Sequence, residues 1–167
     1  MVFTKDAVKE LLRANNIEHT WYNHIPVFGA EDSAKLDAEI EDWKHCAKNL
    51  FLRDEKAKNY YLVTVQKQKK VNLKELAKIL GCRRLSFANP VELMQYLQLT
   101  PGSVSPFGVL NDVENKVAAF LDADFIQTDF IVCHPNLNDS SVAMNTNVLL
   151  DLLASYEKYF QIITIPV

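Results

Sequence analysis

Asn49-Leu50-Phe51-Leu52, the polar run Arg53 to Asn59, and Tyr60-Tyr61-Leu62-Val63-Thr64-Val65 decide how this chain is read. Two short apolar segments rich in aromatic and β-branched residues flank a turn, and the strand-like period starts from Ala47, so the stretch predicts a β-hairpin. An isolated hairpin is marginal in water, and the neighbouring segments must cover its faces. Towards the N-terminus, Thr4 is placed to cap a helix carrying Val8, Leu11 and Leu12 and ending near Asn15-Asn16. Glu18 to Asn23 reads as a strand that Pro26 interrupts, and Ser33 to Asp42 as a second helix.

Beyond the hairpin, Asn72 with Glu75 three residues on resembles a capping box for a helix with Leu73, Leu76, Ala77 and Leu80 inward and Gly81 as its stop. Asn89-Pro90 opens another helix, with Leu93, Met94 and Leu97 on its apolar face. Thr100 to Gly108 reads as a shaped loop. Lys116 to Leu121, Phe130 to Cys133 and Val142 to Met144 follow as short strands, Asn147 to Tyr156 as a helix and Phe160 to Ile165 as a closing strand. Without repeat or linker, this irregular mixture predicts one α+β domain over residues 1–167, a mixed sheet surrounded by helices.

Composition supports that reading. The 167 residues are 49% apolar and 23% charged, which excludes disordered, collagenous and coiled-coil classes. Apolar runs such as Val117 to Leu121 are far shorter than the roughly 20 residues that span a bilayer, so no membrane partner is expected. The opening residues lack signal-peptide character, and the expected location is cytoplasmic. Cys46, Cys82 and Cys133 are far apart, with no Cys-x-x-Cys spacing, and read as free thiols. The absence of a long apolar seam favours a monomer.

Charge is segregated along the chain. Residues 44 to 84 hold 12 basic and 3 acidic groups, or +9; the remainder holds 6 and 18, or −12, giving the net −3. Such a block either collects phosphates, as on an RNA backbone, or is a solvated face that keeps the protein soluble.

Three stretches could carry chemistry. Lys48, at the start of a strand, could lay its stem on the sheet and offer its ammonium to a phosphate, or stand as an ordinary surface lysine; Asn49 could orient a hydroxyl or complete a turn. In Gly102-Ser103-Val104-Ser105-Pro106, glycine permits close backbone approach and unusual dihedrals. Such a loop can aim amides at a carbonyl or its oxyanion, although common turns share the pattern. His134, after the strand Phe130 to Cys133, could polarise water or hold a ribose hydroxyl, or be satisfied by local backbone. No Gly-x-Ser-x-Gly elbow supports a serine hydrolase, and the four histidines form no metal motif. Trp21, Trp43, Tyr60 and Tyr61 could stack bases, but aromatics in strand patterns more often pack the core.

Together, Lys48-Asn49-Leu50-Phe51-Leu52-Arg53-Asp54, Pro101-Gly102-Ser103-Val104-Ser105-Pro106-Phe107 and His134-Pro135-x-x-Asn138 resemble, in order and separation, the YbaK/prolyl-tRNA synthetase editing-domain family. From about residue 4 to the end, the chain is similar to its free-standing ProXp-ala or PrdX group, the prolyl-tRNA synthetase associated domain proteins. The resemblance implies cofactor-free and metal-free hydrolysis of a wrongly attached amino acid, alanine first, from tRNA for proline. It assigns Lys48, Gly102, Ser103, Ser105, Pro106 and His134 to catalysis and Asn49, Val104, Phe107 and Asn138 to substrate binding. Lys48 would engage the terminal phosphate or adenosine, while the glycine loop holds the aminoacyl group. Lys67, Lys69, Lys70, Arg83 and Arg84 would hold the acceptor stem of tRNA, and prolyl-tRNA synthetase stays open as a second partner. Discrimination would be steric, admitting a small side chain and refusing the proline ring. Ser140-Ser141 departs from the family's usual small residues with threonine. The same fold acting on cysteinyl-tRNA for proline, or a non-catalytic module holding RNA or a nucleotide, are the alternative readings.

Overall fold

In the computed structural model, which describes all 167 residues, three helices start where Thr4, Asn72 and Asn89 predict them. The Thr4 hydroxyl accepts from the Ala7 amide and opens α1 (Lys5–Ala14), which buries Val8, Leu11 and Leu12. After β1 (Thr20–Asn23) comes α2 (Ala30–Glu39), then a 3-10 turn over Glu41–His45. The hairpin forms as β2 (Ala47–Arg53) and β3 (Tyr60–Gln66), antiparallel, with Lys48 opposite Val65 and Asn49 opposite Thr64. Next are α3 (Leu73–Leu80), closed by Gly81 at φ +78°, β4 (Ser86–Phe87) and α4 (Pro90–Leu97). A 3-10 turn over Pro106–Asn111 leads to β5 (Val117–Asp122), α5 (Asp124–Thr128), β6 (Ile131–Cys133), β7 (Ser140–Met144), α6 (Thr146–Ala154) and β8 (Phe160–Ile163).

The α+β class with a mixed sheet holds, and the strands divide in two. Five form the mixed sheet in the order β4-β2-β3-β5-β8, with β3, β5 and β8 mutually parallel. Three form an antiparallel sheet in the order β1-β7-β6. An isolated bridge between Cys46 and Val132 joins the sheets at the end of β2 where Lys48 lies.

Alternation on β3 creates two cores. Tyr60 and Leu62 face a large cluster containing α1, α4 and α6 residues, while Tyr61, Val63 and Val65 meet Leu76 and Ala77 of α3. The strand is therefore apolar on both faces. A third cluster, Leu36, Ile40, Trp43, Cys46, Val132 and Ala143, seats α2 and its 3-10 turn on the small sheet.

Several expected boundaries are corrected. The second helix starts at Ala30 and stops at Glu39, not Ser33 to Asp42, because Ile40 is extended (φ −118°, ψ 110°) and the chain tightens to bury Trp43. That segment buries only Leu36 along its helical length, too weak a stripe to fix its frame. Both β4 and α5, as well as the turn at Pro106, are short local structures inside or beside stretches that read as connections. The sixth helix ends at Ala154 and β8 at Ile163, short of the expected Tyr156 and Ile165. No helix is long and apolar enough to cross a membrane.

Candidate active site

Where the sheets meet, Lys48, the glycine loop and His134 converge on one cavity of about 450 Å³. Its wall also includes Asn49 and Val104, with Val27, Trp43, Cys46 and Lys67 nearby. The lysine comes from the first turn of pairing in β2, the loop from the link between α4 and β5, and the histidine from the end of β6. The fold thus joins residues separated by more than eighty positions.

Lys48 donates its ammonium to the carbonyl of Lys69 and has no carboxylate partner. Burial holds its pKa below the usual lysine value. The carbonyl it uses is itself fixed, because the Lys69 ammonium pairs with Asp122 and Asp124, each at 2.8 Å. Asp122 is fully buried and also accepts from the amides of Gln66 (3.1 Å) and Asp124 (3.0 Å).

Asn49 acts on the loop. Its Oδ1 accepts from the Thr64 hydroxyl (2.6 Å), and its Nδ2 donates to the Val104 carbonyl (3.1 Å). The loop begins as a turn in which Ser103 N–H donates to Thr100 O (3.0 Å), with Pro101 and Gly102 at its corners. Gly102 has φ +88°, the left-handed value that glycine tolerates and a type II turn requires. The amides of Gly102 and Val104 make no hydrogen bond within the protein.

The remaining loop residues stand behind this wall. Ser103 is buried, and its hydroxyl accepts from the Asn138 amide (3.1 Å). Ser105, also buried, donates to Asn136 Oδ1 (2.8 Å) and accepts from Phe107 N–H (3.0 Å). Pro106 and Phe107 lie in the interior, Phe107 within the large core. Asn138, between β6 and β7, donates to the Val27 carbonyl (3.2 Å), tying its segment to the one after β1. Ser103, Ser105, Pro106, Phe107 and Asn138 therefore do not line the cavity; they hold its shape. The family resemblance groups these residues at one site but does not say which of them face inward.

His134 is half-buried, with Nδ1 2.8 Å from the Ser140 carbonyl. A carbonyl only accepts, so Nδ1 carries the hydrogen and Nε2 the lone pair. Burial lowers its pKa, the Ser140 hydrogen bond opposes that, and neighbouring His24 adds to the lowering. His24 and Ser141 were not legible as parts of this site. Their pairing spans 117 positions, and only β1–β7 register places them together. Trp43 packs T-shaped against His24 (5.5 Å between centroids) and is anchored by donating to Ser33 (3.1 Å).

The basic block is split by the fold. Lys67 stands at the cavity over the Trp43 ring (5.1 Å) and pairs with Asp37 (2.8 Å). Lys69 is committed to Asp122 and Asp124, while Lys70 is exposed. Arg83 and Arg84 are exposed at the other end of the hairpin, where their amides meet Glu55 (3.3 and 3.4 Å). That end is about 20 Å from Lys48, at roughly 3.3 Å per strand residue.

A larger hollow of about 710 Å³ runs along β5 and β8. Its cation, Lys158, is already bound to the Asp112 carbonyl and to Asn115, and it shares none of the converging groups. No three His, Cys, Asp or Glu side chains are grouped to hold a metal ion.

Residues 26–152 match the model of the aminoacyl-tRNA editing domain. Among curated proteins, the prolyl-tRNA editing protein ProX of Acetoanaerobium sticklandii is 40% identical over 141 residues, 84% of this chain and 85% of that protein. The prolyl-tRNA synthetase associated domain-containing protein 1 of Danio rerio is 31% identical over 148 residues, 87% of this chain and 79% of that one. A crystal structure of a candidate trans-editing enzyme for prolyl tRNA synthetase superposes with a TM-score of 0.71 at 17% identity, covering 98% of this chain and 96% of that one, and shares the fold.

Proposed function

The chain belongs to the aminoacyl-tRNA editing domain family, and from that premise we propose that it is a trans-acting aminoacyl-tRNA deacylase whose substrate is alanyl-tRNA for proline. The observation that carries the reading is the convergence on one cavity of Lys48, His134, and Gly102 and Val104, whose amides have no partner within the protein.

An aminoacyl ester is already activated, so catalysis needs a placed water and a stabilised oxyanion. Water adds to the ester carbonyl, and the two loop amides receive the resulting oxyanion. Collapse breaks the bond to the ribose oxygen, which takes up a proton, releasing alanine and tRNA. The neighbouring ribose hydroxyl orients the water. Lys48 holds the terminal phosphate as a point charge, its position set by Lys69. His134 presents Nε2 to the aminoacyl group. Val27 and Trp43 line the cavity with it, and discrimination rests on these walls admitting a methyl group and refusing a pyrrolidine ring. A size sieve of this kind contributes about 1–3 kcal/mol per methylene.

Time-resolved deacylation of alanyl-, cysteinyl- and prolyl-tRNA by one preparation tests the reading. Alanyl-tRNA should be cleared fastest, prolyl-tRNA should persist, and Lys48→Ala should abolish most turnover. Preference for the cysteinyl ester would reassign the substrate. Binding of tRNA with no hydrolysis of any ester would replace the deacylase with a binding module.

A further inference from the structure

Five residues outside the glycine loop, Ile25, His24, Ser141, His134 and Ser140, form a directed hydrogen-bond chain at the cavity. His24 Nδ1 lies 2.7 Å from the Ile25 carbonyl, which can only accept, so Nδ1 carries hydrogen and Nε2 the lone pair. That lone pair faces the Ser141 hydroxyl at 2.8 Å, so Ser141 donates to His24. The Ser141 oxygen is then left as an acceptor, 3.4 Å from His134 Nδ1–H, whose shorter bond goes to the Ser140 carbonyl at 2.8 Å. Every step has one direction. The two rings lie 5.9 Å apart, close enough for a charge on one to oppose a charge on the other.

Strand register builds this chain. Asn23 pairs with Ser140, and the next residue, His24, donates its amide to the Asp139 carbonyl (2.9 Å). His24 is therefore the diagonal neighbour of Ser141 on the same sheet face, a separation that a long side chain bridges. Pro26 then turns the chain away, leaving the His24 ring over the sheet against Trp43.

We propose that His24, acting through Ser141, reinforces the neutral Nδ1–H tautomer that the Ser140 carbonyl sets on His134, so that the Nε2 lone pair is offered to the α-ammonium of the bound aminoacyl group. His24 and Ser141 are positioning residues, and only their kinetic effect rests on the deacylase reading. Other charges around the His134 ring divide in sign. Lys48 and Lys67 line the same cavity from β2 and the segment after β3, Lys67 being paired with Asp37, whereas the neighbouring His24 opposes protonation. Asp139, the residue before β7, favours it but is itself paired with Lys5 at 3.3 Å. A neutral acceptor would select the protonated form of the substrate amine, whereas an imidazolium would repel it.

Long-range proton–nitrogen NMR of the free protein reads the tautomer and titration of His134 without substrate. In the wild type, Nδ1–H is expected through neutral pH. In His24→Gln, which cannot become charged, the His134 titration should move up. The acid limb of alanyl-tRNA deacylation should move with it. Ser141→Ala should raise KM for alanyl-tRNA, and Ser141→Thr, which keeps the hydroxyl, should restore it. An Nε2–H tautomer, or a His134 titration indifferent to His24→Gln in a folded variant, overturns the proposal. If His24→Gln does not fold, unchanged KM in Ser141→Ala overturns it. The NMR signature without deacylation by the wild type would support the positioning chain and remove the deacylase reading.

Discussion

At the residue scale, the site depends on two backbone and ring conformations that alternatives disturb in measurable ways. Gly102 at φ +88° sits where an added Cβ would meet Asn138 Nδ2 at 3.4 Å, a tolerable approach, so the penalty for alanine is conformational. Gly102→Ala should cost about 1–2 kcal/mol of stability, seen as a lower urea midpoint. Single-turnover deacylation should fall by about tenfold or more, since the turn that aims the free amides is displaced. A second residue-scale prediction follows from His134. Its folded pKa lies below the ordinary 6.5, so between those values the unfolded chain binds the extra proton. Its contribution is fully present above about pH 6.5 and is lost as pH falls through the folded value. Urea midpoints of wild type and His134→Gln measured from pH 7.5 down to pH 5 should converge, the variant having the flatter dependence. Parallel curves would show that this ring does not titrate differently on folding.

Elements fix the lysine as firmly as the loop. Asp122 ends β5 and, wholly buried, ties down the segment after β3 through Gln66 and Lys69, whose carbonyl receives Lys48. Asp122→Asn leaves the Lys69 ammonium, only 20% exposed, without its inner partner, and should cost about 3 kcal/mol and lower deacylation as well. Asp124→Asn removes the outer partner, whose side chain is half-exposed, and should cost less than about 1 kcal/mol. Chemical denaturation of both variants decides whether the inner bond is the anchor. Asp122 could not be picked out from sequence, because its partner lies 53 positions away. Local signals were legible where the interaction is local. Asn72 accepts from Glu75 N–H as its spacing implies, although Glu75 itself turns to Lys78, and the reciprocal capping box forms at Asn89 and Glu92. The hairpin was legible because two runs rich in aromatic and β-branched residues flank one polar turn. Residues 26–46 were not, because their packing is set by Trp43 against the small sheet rather than by a stripe of their own.

Across the whole molecule, the basic block that is continuous in sequence becomes two separate positive ends. Lys48 and Lys67 face the cavity, Lys70 is exposed in the same segment, and Arg83 and Arg84 project at the far end of the hairpin, where α3 has carried the chain back along β2 and β3. For the proposed tRNA partner this separation divides labour. A terminal adenosine in the cavity and a stem phosphate at Arg83 and Arg84 would be roughly 20 Å apart along the hairpin, a distance for the single-stranded end to span. Charge reversal at Arg83 and Arg84 should therefore weaken tRNA binding and reduce the slope of log affinity against log salt by about 1–2, one for each phosphate that is no longer neutralised. It should leave turnover at saturating tRNA intact, because neither residue approaches the ester. Lys70→Glu should weaken binding in the same way, whereas Lys69→Glu would damage the fold through Asp122 and reveal nothing about RNA. Lys48→Ala should lower turnover at saturation, which the arginine variants leave intact, and should reduce the salt slope by about 1 for the terminal phosphate it no longer neutralises. Filter binding across a salt series, paired with saturating single-turnover rates, separates the two ends. A salt slope unchanged by reversal of both arginines would confine RNA binding to the cavity end and leave the far positive end as a solvated surface.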